Sequence, residues 1–401
     1  MFTRSLADTR VPSVVTSSLD ATPTVNRQGT PGRLRVGMVG TYPPTECGIA
    51  TFTAGLRDAL REARPRWDFP VARVVEPPAP HRRREVGASW VRGQSWTLGA
   101  TLRELNDGDV AVIQHEFGIF DGPDGDSVLD LLAGLTVPTV VVLHTVLSAP
   151  SDGQRRVIDG ITRRADAVVV PSATALARLR RNHHAGHAVV IPHGADANID
   201  ESPEWRRPGR TILTWGLLGP GKGLEEAFGA LSALRDLQPT PRYVVAGHTH
   251  PHERGRHDDY RDHLRRVARE VGVADLVEFD DHYRSRSSLN NLIRRADVVL
   301  LPYLSTEQVC SGVLVEALAS ARPVVATAFP HAVELLEGGA GIVVPHGDGT
   351  AMADALRSVL TDDQLAADMT RHAWDVGESL LWPQVARRYA ALIKTLVEKG
   401  R

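Results

Sequence analysis

Lysine is nearly missing from this chain. Of 46 basic residues only three are lysines, Lys222, Lys394 and Lys399, and the rest are arginine. Cysteine is scarcer still. Cys47 and Cys310 are the only two, too few for a disulfide framework or a four-ligand zinc site, and they fit a reducing cytoplasm. No apolar run approaches the roughly 18 residues of a membrane span. The formal net charge of −2 gives no electrostatic case for nucleic acid as a partner. The first 32 residues are rich in Ser, Thr, Pro and Arg and lack the apolar core of a signal peptide, so a disordered tail is expected there. A dinucleotide fingerprint of the GxGxxG kind is absent as well.

What remains is ordinary for a globular protein: 401 residues, 42% hydrophobic and 23% charged, long enough for two domains. Short β-branched runs alternate with longer amphipathic stretches. In the first half they are Leu34–Val39, Val110–Gln114, Thr139–His144, Ala167–Val170 and Ala188–Ile191. A polar stretch with two prolines, Asn198–Arg210, reads as a linker. The pattern then restarts with Thr211–Trp215, Arg242–Ala246, Leu276–Phe279, Val298–Leu301, Pro323–Ala326 and Gly341–Val344. This alternation implies an α/β fold of two doubly wound parallel sheets, over 33–197 and 211–375. Ligands of such sheets bind outside the carboxyl ends of the strands. The last segment, 376–401, holds an amphipathic helix at Trp382–Lys399.

The lone internal lysine stands where chemistry is expected. Lys222 lies in Gly219-Pro220-Gly221-Lys222-Gly223, directly after a strand and before a helix. Such a turn turns amides toward an anion, and an ammonium on a flexible stem complements a phosphate. Ser311, Gly312 and Val313 open another helix with free first-turn amides. Glu316 follows one turn later, where a carboxylate can accept both hydroxyls of a ribose. In the first half, Gly48 sits where the loop after the first strand enters a helix. His115 and His144 end two strands, with Glu116 beside the former and Glu46 in the first loop. Histidine at such a mouth can donate to a sugar hydroxyl or a phosphate. Three other patterns read as plain loops: the DxD of Asp124 and Asp126, the basic run His81–Arg84, and the histidines of His248–His252, whose spacing is wrong for a helical metal pair. The basic run leaves peripheral contact with a membrane surface open. The two cysteines read as small packing residues.

Together these motifs resemble glycosyltransferase family 4, the retaining GT-B enzymes that use nucleotide-sugar donors. The similarity runs from about Arg33 to Lys399. It is carried by Gly216–Gly223, Gly247–Pro251, Ala296–Tyr303, Ser311–Glu316 and Ala321–Thr327, with Glu46–Phe52, His115–Gly118 and Val190–Asp196 in the first half. The resemblance implies a GT-B fold whose final helix crosses back onto the first domain. It gives Lys222 the donor diphosphate, Gly48 the diphosphate and acceptor, Glu316 the ribose and His115 the donor sugar. His115 and Lys222 are then the catalytic candidates, with Glu46, Glu116 and His144 on the acceptor or sugar side. Two positions depart from the family. Leu217 stands where an arginine is usual, and Gln308 where the first of two glutamates is usual, with Glu307 one place earlier. The implied reaction moves a hexosyl group, with mannosyl favoured, from a nucleotide diphosphate to a hydroxyl of a carbohydrate or lipid-linked acceptor. No metal or other cofactor is expected, since the nucleotide sugar is a substrate. A GT-B nucleotide-sugar epimerase and a non-catalytic nucleotide- or sugar-binding protein stay open as alternatives.

Overall fold

The computed structural model describes residues 32–79, 83–199, 210–249, 257–282 and 284–400, with the side chains of 257–259 left aside. Most of the N-terminal tail and of the expected linker, His81 and Arg82 of the basic run, and His250–His252 lie outside the described residues.

The first sheet contains β1 (Val36–Gly40), β2 (Val71–Val75), β3 (Val86–Val91), β4 (Val110–His115), β5 (Thr139–Leu143), β6 (Ala167–Val170) and β7 (Ala188–Val190). The second contains β8 (Thr211–Trp215), β9 (Arg242–Ala246), β10 (Val277–Asp280), β11 (Val298–Leu301), β12 (Val324–Thr327) and β13 (Gly341–Val344). Their orders are β3-β2-β1-β4-β5-β6-β7 and β10-β9-β8-β11-β12-β13. Every pairing is parallel, in register such as Met38 with Val112 and Val298 with Ile212. In each sheet the order reverses beside its first strand, between β1 and β4 and between β8 and β11. That is where a parallel sheet opens a crevice for a ligand.

Strands β2 and β3 escaped the sequence pattern. The run of β2 is broken by Arg73, which is wholly buried and donates from Nε to Ser89 Oγ of β3 at 3.0 Å. Strand β3 carries Gly87 and Ser89 among its apolar residues. Neither segment shows the unbroken apolar run expected of a strand buried on both faces.

The last helix, Trp382–Lys399, leaves the second sheet's neighbourhood and packs on helix Gly48–Ala63 of the first. Phe52, Leu56, Trp382, Val385, Tyr389 and Ile393 share one core. The crossing is pinned by backbone bonds from Trp382 N to Ala195 O at 2.9 Å and from Ala195 N to Leu380 O at 3.0 Å. The indole of Trp382 then lies against Gly194, where an added Cβ would fall 2.1 Å from the ring. Only glycine permits this approach. Gly194→Ala should therefore destabilise the protein by about 1–3 kcal/mol through overpacking, seen as a lower urea midpoint with an unchanged slope; an unchanged midpoint would show that the indole moves aside freely.

Candidate active site

The two switch points face each other across a cleft of about 620 Å³. Its second-domain wall begins where β8 ends. The chain turns through Gly221 and Gly223, both with positive φ (+89° and +66°), into helix Leu224–Ser232. A Cβ on Gly223 would sit 1.8 Å from Pro302 O, so both the conformation and the space demand glycine. The turn is tied to the neighbouring strand end by Leu304 N donating to Gly221 O at 2.9 Å. Lys222 reaches the cleft with Nζ 4.1 Å from the centre of the Tyr303 ring. Among the described residues no carboxylate pairs with it. Arg284 and Arg286 also line the cleft, but each is engaged: Arg284 with Asp280 and with Ser288 Oγ, Arg286 with Asp196. Leu217 lines the cleft too and adds no charge.

The floor is built by helix Gly312–Ala319. Ser311 caps it, Oγ accepting from Leu314 N at 3.2 Å, while the first-turn amides of Gly312 and Val313 have no acceptor within the helix. Ser311 N itself donates to His331 Nδ1 at 2.9 Å. That bond needs an unprotonated nitrogen, in keeping with a ring that burial pushes down to about 4. Glu316 accepts from Trp215 Nε1 at 3.0 Å. Burial raises the Glu316 carboxyl above its ordinary value, and the indole bond works against this. Gln308 lines the cleft, its Nε2 donating to Cys310 O at 3.2 Å. Glu307 cannot replace the missing carboxylate beside it. It faces the first domain, where it accepts from Ser148 N at 2.7 Å and from Arg178 Nη1 at 3.0 Å.

The opposite wall is helix Gly48–Ala63, capped by the Cys47 sulfur, which accepts from Ala50 N at 3.4 Å. Nothing lies within 4 Å of a Cβ built on Gly48, so its backbone is open to the cleft. His144 lines the cleft after β5, its Nε2 2.8 Å from Gln114 Oε1 and its ring edge-on to Phe52. Burial, with lesser help from His193 and His115, pushes its pKa down to about 3. Glu116 lines the cleft as well. Its carboxylate accepts from Phe117 N at 2.9 Å and from Thr145 Oγ1 at 2.5 Å, and burial raises its pKa despite these bonds. Glu46 is not among the lining residues but stands 3.5 Å from His248 on the other lip.

His115 stands apart from the other expected site residues. It does not line the cleft: the side chain is 0% exposed, set beside the rings of Phe117 and Phe120. The alternation of β4 turns Gln114 to one face of the sheet, where it meets His144, and His115 to the other. The histidine at the cleft is the one a strand over. Asp124 and Asp126 are likewise absent from the lining, and no group of three or more His, Cys, Asp or Glu side chains suited to a metal occurs among the described residues. His193, Asp196 and Arg286 line the cleft and were not singled out as site residues from the sequence. His193 and Asp196 could have been, since they belong to the Val190–Asp196 segment at the end of β7. Burial lowers the His193 pKa to about 4, against the Gly194 carbonyl bond that raises it.

Burial holds the His115 pKa near 3, so the folded state keeps it neutral while the unfolded chain protonates it around 6.5. Its contribution to stability is whole above the unfolded value and is lost as pH falls from there toward 3. His115→Phe should therefore flatten the acid loss of stability, by up to about 1.4 kcal/mol per pH unit below the unfolded value. Urea midpoints at pH 7.5 and 5 read this out, and equal acid losses in both proteins would contradict it.

Residues 48–199 match the family described as Glycosyltransferase Family 4, and residues 209–362 match Glycosyl transferases group 1. The Phosphatidyl-myo-inositol mannosyltransferase of Mycolicibacterium smegmatis is 32% identical over 221 residues, 53% of this chain and 53% of that one. The D-inositol 3-phosphate glycosyltransferase of Corynebacterium glutamicum is 31% identical over 189 residues, 46% of this chain and 43% of that one. The chain thus spans about half the length of the curated relatives it matches. Among solved structures, sucrose-phosphate synthase of Thermosynechococcus elongatus superposes with a TM-score of 0.72 at 19% identity, over 92% of this chain and 100% of that one. HepE of Anabaena, solved with UDP-glucose, superposes with a TM-score of 0.71 at 18% identity, over 90% and 100%. The matches on both halves and the superpositions over nine-tenths of the chain lead to one conclusion: the chain belongs to glycosyltransferase family 4 and has the GT-B fold.

Proposed function

We propose that this protein transfers a hexosyl group from a nucleotide-diphosphate sugar to a hydroxyl, with retention at the anomeric carbon and without a metal. One observation carries the reading. Lys222, the open backbone at Gly48 and the first-turn amides of Gly312 and Val313 meet in one cleft, with the Glu316 carboxylate one helical turn beyond. That is positive charge for a diphosphate beside an acceptor for ribose hydroxyls.

The leaving diphosphate develops negative charge between the two helix ends and the ammonium. Each such contact supplies roughly 2–4 kcal/mol to the transition state. The acceptor hydroxyl attacks from the face the diphosphate leaves, and a phosphate oxygen takes its proton, so no pair of glycosidase carboxylates is needed. We assign to His144, which lines the cleft, the sugar-holding role that the family resemblance gives to His115. Its depressed pKa keeps it neutral at pH 7, able to bond a sugar hydroxyl without adding a charge. A mannosyl donor is supported by the relative named a mannosyltransferase, and a uridine donor by the neighbour solved with UDP-glucose. The names of both curated relatives contain inositol, which favours a polyol hydroxyl, free or lipid-linked, as acceptor. The scarcity of cysteine, two in 401 residues, supports a reducing, cytoplasmic setting for the reaction. Leu217 and Gln308 support a second reading, a protein that binds the nucleotide sugar without turning it over.

A thermal-shift screen with GDP, UDP, ADP and their sugars, with and without magnesium, separates these. A nucleotide at 100 times its Kd should stabilise the fold by about 2.7 kcal/mol. Stabilisation by one base, equal without metal and lost in Lys222→Ala, is expected, as is a loss of transfer of about 100-fold or more in that variant. Binding with no transfer to any polyol would favour the second reading. No shift with any nucleotide would remove both.

A further inference from the structure

Helix Ala173–Asn182 belongs to the first domain, yet its N-terminus is completed by the second. Its cap, Ser172, accepts from Ala175 N at 3.1 Å and leaves the two preceding amides unanswered. Glu334, on helix Pro330–Leu336 after β12, answers both: Oε1 accepts from Ala173 N at 2.8 Å and Oε2 from Thr174 N at 3.0 Å. Thr174 Oγ1 adds a third bond at 2.8 Å. A carboxylate at the positive end of a helix is favourable, and here it comes from another domain.

The same helix is held a second time. Arg178 donates from Nη1 to Glu307 Oε2 and to Glu307 O, both at 3.0 Å. The Glu307 carboxylate also takes Ser148 N at 2.7 Å and Ser148 Oγ at 2.5 Å.

Both grips end in the segment that opens the floor of the cleft. Glu307 immediately precedes Gln308. Glu334 shares its short helix with His331, whose amide donates to Gln308 O at 3.2 Å and whose Nδ1 takes Ser311 N at 2.9 Å. The loop Gln308–Ser311 is therefore suspended between two carboxylates that both hold the first domain.

We propose that Glu307 and Glu334 form an interdomain latch on helix Ala173–Asn182 that holds the cleft shut and sets the Gln308–Val313 loop when it is shut. They are positioning residues, acting through Ser311 and Gln308 rather than on the substrate. The second half of this proposal rests on the donor-binding reading of that loop; the first half does not.

The chain carries its own reporters. Cys47 and Cys310 line the cleft from opposite domains, and both are free thiols. In the full-length protein, the rate at which these thiols react with a disulfide reagent such as DTNB reports opening, whatever the activity. Glu334→Ala and Glu307→Ala should react roughly fivefold faster or more, as expected when an opening equilibrium loses charge-assisted hydrogen bonds. Glu334→Gln keeps one acceptor oxygen and should fall between wild type and Glu334→Ala, with circular dichroism confirming that each variant is folded. The nucleotide that stabilises the wild type should bind Glu334→Ala more weakly, with transfer reduced. Unchanged thiol rates in folded variants overturn the latch. Faster thiols with unchanged nucleotide affinity and turnover overturn its coupling to the loop. Failure of every nucleotide to bind the wild type refutes the donor-binding reading and with it the coupling, while the thiol rates still decide the latch.

Discussion

A doubly charged leaving group of the kind proposed, held between two domains, must find positive partial charge on both sides at once. Parallel β-sheets meet that demand through their connectivity. Every strand runs toward the same edge, and every following helix starts there with unpaired amides. Facing two such edges across a cleft brings helix Gly48–Ala63 and helix Gly312–Ala319 toward one space. The rest of the site fits this frame. The ammonium of Lys222 adds one full charge, His144, His193 and His331 stay neutral at pH 7 through burial, and Arg284 and Arg286 pair with Asp280 and Asp196. Among the described residues, positive charge free of a carboxylate is concentrated on Lys222 and on two helix N-termini.

That arrangement works only if the halves keep their places, and two devices contribute. The indole of Trp382 lies against Gly194 and Phe52, binding the end of the chain to its beginning. Glu307 and Glu334 reach the other way, from the second half to helix Ala173–Asn182. One device is apolar and buried, with geometry set by shape. The other is polar and closer to solvent, with geometry set by charge. Hydrogen-bonded carboxylates at a rim can exchange for water more easily than a buried indole can leave its core. The crossover helix is therefore the fixed connection and the rim the releasable one.

Much of this was legible in the sequence because it is periodic or because it concerns the backbone. The β-branched runs of β4, β5, β8 and β11 stand out, and glycine beside Lys222 announces a turn that excludes side chains. What escaped depended on direction or on partners far away in the chain. Strand β2 was hidden by Arg73, a charge buried against Ser89 where the pattern leads one to expect valine. His115 and His144 look alike as strand-end histidines, and only the facing of β4 and the pairing with Gln114 decide which one meets the cleft. Glu307 and Gln308 are adjacent in a loop, yet Glu307 meets Ser148 and Arg178 while Gln308 lines the cleft; their roles diverge for a reason no spacing rule contains. The Asp196–Arg286 pair joins residues far apart in the chain.

Lys222 rests on the face of Tyr303 rather than against a carboxylate. An aromatic face holds an ammonium weakly compared with a buried ion pair, and it holds it at a defined distance. A phosphate of the proposed donor would therefore displace a quadrupole and leave no stranded anion behind. The exchange also runs in reverse. On the proposed reading, when a spent diphosphate departs the ammonium can return to the Tyr303 ring, so release does not leave a bare charge without a partner. In the proposed reaction such a ring narrows the energy gap between the empty and the occupied cleft, which favours repeated cycles over tight retention of any one ligand.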